Sequence, residues 1–213
     1  MKRLFYLLPL MLAVFTSCAQ TNARSSFKLN CEGCEAIFES TVPWEQLNAV
    51  DTLPDFNDAG AKMLVTGIIY EADGKTPANN VVLYIYHTDQ YGIYAKKGDE
   101  KGWAKRHGYI RGWIRTGADG RYSFYTLRPA AYPREKIPAH IHPVLKESDM
   151  QPYYVDEFLF DDDPLLSAEE RRKQPLYGGS GILKPVKENG MLVARRDIVL
   201  GLNIPGYPTK KGL

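Results

Sequence analysis

Two Ala-Asp-Gly turns, at 72–74 and 118–120, are flanked by runs of β-branched and aromatic residues, and this punctuation limits the chain to a β-rich fold. The runs are AKMLVTGIIY (61–70), NNVVLYIYHT (79–88) and the two halves of HGYIRGWIRTGADGRYSFYTL (107–127). Three more follow: IPAHIHPVL (137–145), YYVDEFLF (153–160) and RDIVLGLNI (196–204). In the first run Leu64, Thr66, Ile68 and Tyr70 alternate with Val65, Gly67 and Ile69, so both faces are largely apolar, as in an inner strand. Helical signal is sparse. SAEERRK (167–173) predicts a short helix with Ser167 as N-cap and Glu170 at the capping-box position. GGSGI (178–182) lacks the Lys and Ser/Thr of a phosphate loop and reads as a flexible turn. The expected class is all-β, a β-sandwich with long loops and little helix.

The start of the chain is set apart from this pattern. Residues 1–17 read as a lipoprotein-type signal peptide: basic MKR, then LFYLLPLMLAVF, too short to span a bilayer comfortably, then small residues. Phe15-Thr16-Ser17-Cys18 resembles a bacterial lipoprotein cleavage box, so Cys18 is expected to be the lipidated mature N-terminus. The alternative is plain secretion with an incidental cysteine. The expected location is that of an exported bacterial lipoprotein, periplasmic or outer-membrane associated, tethered to the membrane through Cys18. Residues 18–41 then hold the lipidated N-terminus, a tether and a CxxC segment, and 42–213 form one β domain. VPWEQLNAVDTLPDF (42–56) is interrupted by proline and reads as cover rather than core.

Charge excludes one class of partner. The leader holds Lys2 and Arg3 and no acid, so 27 basic residues become 25, against 25 acidic. A neutral mature chain has no gross electrostatic case for nucleic acid. The basic stretch at 95–115 is broken by acids and reads as a solvated loop leading into a strand. Cys31 and Cys34 are expected to form a small disulfide after export; the rival is a redox or metal-binding CxxC, with no second cysteine pair to complete a Cys₄ site.

Four histidines occur in the chain, and two of them, His140 and His142, sit two apart in PAHIH. On a strand they share a face, while Ala139 and Ile141 point the other way. They can therefore converge on one ion, though two imidazoles alone do not define a site. Tyr132, restrained by Pro133, and Tyr94, just past a core strand and a glycine turn, either cover the sandwich edge or face this pair.

Taken together, VTGIIYEADGKTPANNVVLYIYHTDQYGIY, RGWIRTGADGRYSFYTLRPAAYP and PAHIH resemble the intradiol ring-cleavage dioxygenases, the catechol and protocatechuate dioxygenase family, across residues 62–162. The resemblance implies a β-sandwich holding Fe(III) through Tyr94, Tyr132, His140 and His142, with Tyr91 as a competitor for Tyr94. It also implies a small aromatic diol and O2 as substrates, cleavage between the two hydroxyl-bearing carbons, and a muconate-type diacid as product. The residue types suit the metal. A hard trivalent cation favours phenolate oxygens, and two phenolates with one hydroxide balance its charge while neutral histidines add none. Zinc is the rival metal, for which two tyrosines are an unusual choice.

Two positions depart from the family pattern. The arginine usual three residues before the first histidine is Ile137 here; Lys136 is adjacent but faces the other way on a regular strand, and Arg134 could fold in from the loop. The usual glutamine is Glu157, whose carboxylate repels a catecholate unless protonated or paired. Tyr94, Glu157 and Arg134 are the expected catalytic groups. The departures keep open an alternative, a non-catalytic metal- or ligand-binding β-sandwich lipoprotein. Asp161, Asp162 and Asp163 read as a solvated loop.

Overall fold

The structure is a computed structural model, and it describes residues 31–208. The signal peptide, Cys18 and the tether expected at 19–30 lie outside the described residues. Two sheets pack face to face. The first joins β1 (Val50–Thr52), β5 (Arg121–Leu127), β2 (Lys62–Tyr70), β11 (Met191–Arg195) and β10 (Val186–Glu188) in that order, with β12 (Ile198–Val199) also on β2. The second joins β4 (Arg111–Arg115), β3 (Val82–His87), β6 (His140–Lys146), β8 (Phe158–Phe160) and β9 (Ile182–Leu183), with β7 (Tyr153–Tyr154) on β6. Among the described residues, helix is confined to α1 (Ala104–His107), α2 (Ala168–Lys173) and two short 3-10 segments, Cys34–Glu39 and Trp44–Gln46. The all-β sandwich expected from the sequence is the observed architecture.

Strand periodicity decides what each face does. On β2, Met63, Val65 and Ile69 point inward and are fully buried, opposite Leu83, Ile85, Ile141, Leu145 and Phe158 of the second sheet. The outward residues of β2 are half-exposed, so its outer face is less covered than the apolar alternation suggests. Strand β3 is buried on both faces, because the segment around Cys34–Glu39 lies over its outward residues Val82 and Tyr84. Cys31 and Cys34 form a disulfide within this cover.

Several expectations are corrected. The stretch at 42–56 is not only cover: β1 pairs with β5, and Leu53 and Asp55 are buried. RDIVLGLNI supplies only the two-residue β12 before turning, whereas the unexpected hairpin β10–β11 places a strand beside β2. Residues 95–115 are not simply a loop, since α1 packs its Ala104 and His107 into the fold. GGSGI is tightly packed: a Cβ on Gly181 would lie 2.0 Å from the Glu157 carbonyl oxygen, and β9 follows directly. Ser167 does cap α2, its hydroxyl accepting from the Glu170 N–H at 3.1 Å. Asp163 is not solvated. It is buried, and its carboxylate accepts the N–H of Ala139 and of Leu165, each at 2.8 Å.

Candidate metal centre

The outward face of β6 carries His140 and His142, as the period-two spacing requires, while Ala139 and Ile141 belong to the inner core. Tyr86 of β3 lies directly across from His142. Its ring is sandwiched between His142, with centroids 4.5 Å apart, and His107 of α1, with centroids 3.7 Å apart. The fourth histidine, His87, is enclosed in the core, bonded to the Thr88 carbonyl and the Thr126 hydroxyl, so it has no access to this face.

Tyr94 and Tyr132 arrive from two loops that are tied together. The Asp89 carboxylate accepts the N–H groups of Tyr91 and Ile93, and its carbonyl accepts the Ala130 N–H at 3.0 Å. Gly92 adopts φ +73°, and a Cβ there would sit 2.0 Å from the Ala131 carbonyl oxygen, so glycine is what lets the loops touch. Tyr94 thereby faces the histidines, whereas Tyr91 is 79% exposed.

The four side chains converge closely. Tyr94 Oη lies 2.5 Å from Tyr132 Oη and 2.7 Å from His142 Nε2. Tyr132 Oη lies 3.2 Å from His140 Nε2 and 3.4 Å from His142 Nε2, and the two Nε2 atoms are 3.1 Å apart. Donors bound to one ion at about 2 Å are separated by roughly 3 Å, the spacing seen here.

Proton positions follow from the outer partners of the rings. His140 Nδ1 donates to the Pro138 carbonyl at 2.7 Å, and His142 Nδ1 faces Glu157 Oε1 at 3.0 Å. Both Nε2 atoms therefore present lone pairs inward. Four donor atoms then share only the two phenol protons, and two imidazole lone pairs face each other at 3.1 Å. A cation relieves that crowding. Burial raises the Tyr94 phenol far above its ordinary pKa, and its bond to Tyr132 raises it further; burial raises Tyr132 as well. Neither phenol ionises readily without a positive charge beside it.

His140, His142 and Glu157 bring one donor atom each within 4.8 Å of one another, a cluster suited to a metal ion. Glu157 faces the outer nitrogen of His142, so it orients that ring rather than completing the Tyr-Tyr-His-His set. Burial raises its pKa, but the hydrogen bond with His142 and the nearby histidines outweigh this, and the net shift is downward. The carboxylate is thus paired. The irregular stretch between β7 and β8 places it: Asp156 accepts the N–H of Leu176 and Tyr177 at 3.0 and 2.9 Å, while buried Arg196 donates to the Asp156 carbonyl at 2.5 Å. Arg196, Asp156 and Asp163 carried no signal in the sequence, because each acts across 20 to 40 residues or through backbone atoms. Arg134 and Ile137 are both exposed, and among the described residues no hydrogen bond or ion pair links Arg134 to the centre. A cleft of about 350 Å³ opens beside His142, walled by Tyr86 and Tyr154.

A family model described as dioxygenase matches residues 37–172. The protocatechuate 3,4-dioxygenase beta chain of Burkholderia cepacia is 29% identical over 127 residues, 57% of this chain and 52% of that protein. Catechol 1,2-dioxygenase 1 of Acinetobacter lwoffii is 31% identical over 136 residues, 56% of this chain and 42% of that protein. The chain thus spans about half the length of the curated relatives it matches. Among solved structures, the dioxygenase domain of a dioxygenase carbohydrate-binding fusion from Streptomyces sp. SirexAA-E superposes with TM-score 0.54 at 21% identity, covering 76% of this chain and 95% of that one. An Acinetobacter catechol 1,2-dioxygenase gives TM-score 0.54 at 18% identity, covering 77% and 61%. These structural likenesses concern the fold.

Proposed function

The chain belongs to the intradiol ring-cleavage dioxygenase family, and on that premise we propose that it is a non-haem Fe(III) enzyme cleaving a catechol-type diol with O2. The observation that carries this reading is the convergence of Tyr94, Tyr132, His140 and His142 with both Nε2 lone pairs turned inward. Ferric iron, held by Tyr94, Tyr132, His140 and His142, would supply the Lewis acidity that makes a diol ring reactive towards O2.

The chain's own residues do the rest. His140 and His142 supply neutral nitrogens whose orientation the Pro138 carbonyl and Glu157 maintain. Tyr94 and Tyr132 release their phenol protons to hold a trivalent ion, offsetting the burial that otherwise keeps them protonated. Tyr94 Oη, on the loop beyond β3, is the base that takes a proton from the incoming diol; Tyr132 and the histidines keep the ion in place. Tyr86 and Tyr154 line the cleft beside His142, and Tyr86, stacked between His142 and His107, braces the ligand ring rather than the substrate. Arg134 is exposed, so it enters the reaction only if the loop after Tyr132 folds inward. Our reading of the leader and Cys18 is that the protein is an exported lipoprotein; the Cys31–Cys34 disulfide, which favours an oxidising compartment, supports export.

The test is the visible spectrum of iron-loaded protein. Tyrosinate bound to Fe(III) gives a broad charge-transfer band that shifts on adding catechol, and Tyr132→Phe should weaken and displace it. Iron-loaded protein without such a band would refute the ligand assignment. A band that shifts with catechols, with no ring-cleavage product in aerated buffer, would favour the non-catalytic binding module.

A further inference from the structure

The cleft beside His142 has a chemical bias that the proposed reaction does not by itself require. Its walls include the rings of Tyr86 and Tyr154, and its charged lining groups are two carboxylates, Glu157 and Glu32. No lysine or arginine lines it among the described residues. Glu157 enters from the break before β8, and Glu32 from a separate segment, held within the Cys31–Cys34 loop. Its nearest cation is Arg106, whose Nη1 lies 2.6 Å from Glu32 Oε1. That pair is exposed, at 62% and 74%, so solvent screens its attraction strongly, and Arg106 is not among the residues lining the cleft. Lys96, Lys105 and Arg106 border a separate, open hollow that Tyr94 also lines and that neither His140 nor His142 lines. Ile137 and Arg134, on the loop before β6, contribute no positive charge to the cleft lining.

We propose that Glu32, together with Glu157, is a specificity determinant that selects catechols carrying a cationic substituent and rejects carboxylated ones. This deepens the proposed function and rests on it. A diol held at the centre beside His142 with its substituent extending into this cleft brings that substituent towards the two acids. An ammonium there meets two carboxylates, which favour a cation; a carboxylate meets two like charges with no lining cation to offset them.

The experiment is an anaerobic titration of iron-loaded protein with dopamine, catechol and protocatechuate, reading dissociation constants from the shift of the visible band. Dopamine should bind at least about tenfold tighter than protocatechuate at low salt, the size expected for one net charge at about 7 Å in a partly solvated cleft. The ratio should shrink as salt rises. Glu32→Gln should reduce it, and Glu32→Lys should reduce it further or invert it; this side chain is exposed, so both variants should fold. Equal binding of the three diols, or tighter binding of protocatechuate to the unaltered protein, overturns the inference while leaving the proposed function intact. A ratio that Glu32→Lys does not move overturns the role of Glu32. If no diol of any charge shifts the band, the proposed function falls and this inference falls with it.

Discussion

Asp163 offers the sharpest test of how the centre is held. Its carboxylate accepts two backbone N–H groups at 2.8 Å, one from Ala139 and one from Leu165. Ala139 precedes His140, and the Pro138 carbonyl just before it fixes the His140 tautomer, so Asp163 anchors the backbone that aims the first histidine. Asp163→Ala removes two charge-assisted bonds and strands the Ala139 donor in a buried position. Bonds to a charged acceptor contribute about 1.5–3 kcal/mol each, and Leu165 can recover water, so a loss of about 3 kcal/mol is expected. For a domain of this size that corresponds to a fall in Tm of roughly 10 °C. Metal affinity should drop by about 10- to 100-fold, the usual cost of loosening a group that orients a ligand. Asp163→Asn keeps one acceptor oxygen for Ala139 but turns its NH2 towards the Leu165 N–H, so it should lose about 2 kcal/mol, less than Asp163→Ala. The checks are urea unfolding of the metal-free protein and a competitive chelator titration. If Asp163→Ala unfolds within about 0.5 kcal/mol of the parent and binds metal equally well, the anchoring role is refuted.

Three further outcomes follow from the same geometry. Gly92→Ala forces a side chain into a left-handed φ and against the Ala131 carbonyl; iron uptake should fall severalfold or more while far-ultraviolet dichroism stays that of a β protein, and normal uptake would show that the two tyrosine loops need not touch. Glu157→Gln keeps an oxygen for His142 Nδ1 and should retain metal, whereas Glu157→Leu should weaken metal binding by about 10- to 100-fold; equal affinities would remove Glu157 from the support of His142. His107, stacked on Tyr86, has its pKa lowered from 6.5 to about 3, chiefly by burial and secondarily by nearby positive charges. The unfolded chain takes up that proton near pH 6.5 and the folded one does not, so stability is full above that pH and declines as pH falls towards about 3. His107→Gln should flatten the decline of metal-free stability between about pH 6.5 and 5, before carboxylates titrate, and an unchanged slope in urea melts would contradict it.

The strands with β-branched and aromatic runs were legible because their composition leaves few alternatives, and PAHIH was legible because a period of two puts both histidines on one face. The pairing of Tyr94 with Tyr132 had no such local cause. It depends on Asp89 and Gly92 folding one loop onto the other, and only the resemblance pointed to it. The β10–β11 hairpin carries little signal because β10 is three residues with two charges and β11 only five residues, although Asn189-Gly190, both at positive φ, is a strong hairpin turn. Asp163 looked like one of three loop acids. Two of them are indeed paired near the surface, Asp162 with Arg128 and Asp161 with Arg171, and the third is buried because backbone donors from two segments meet on it.

The outer face of β3 and β6 explains why the centre sits where it does. Along this face the register pairs Val82 with Lys146, Tyr84 with Val144 and Tyr86 with His142, and then reaches His140. Its apolar middle is sealed by the Cys31–Glu39 segment, with Ile37 fully buried and Gly33 set close against His107. A Cβ on Gly33 would lie 2.9 Å from His107 Nε2, so the cover presses directly on the ring stack that ends at His142. Polar ligands placed in the sealed part would lose water without gaining a route for substrate, and ligands beyond the strand ends would lose the rigid backbone that aims them. The boundary where cover stops and strand continues satisfies both needs. Glu32 stands at that boundary, within the disulfide loop and at the cleft, so the segment that seals the apolar end of the sheet also supplies charge to the mouth of the site.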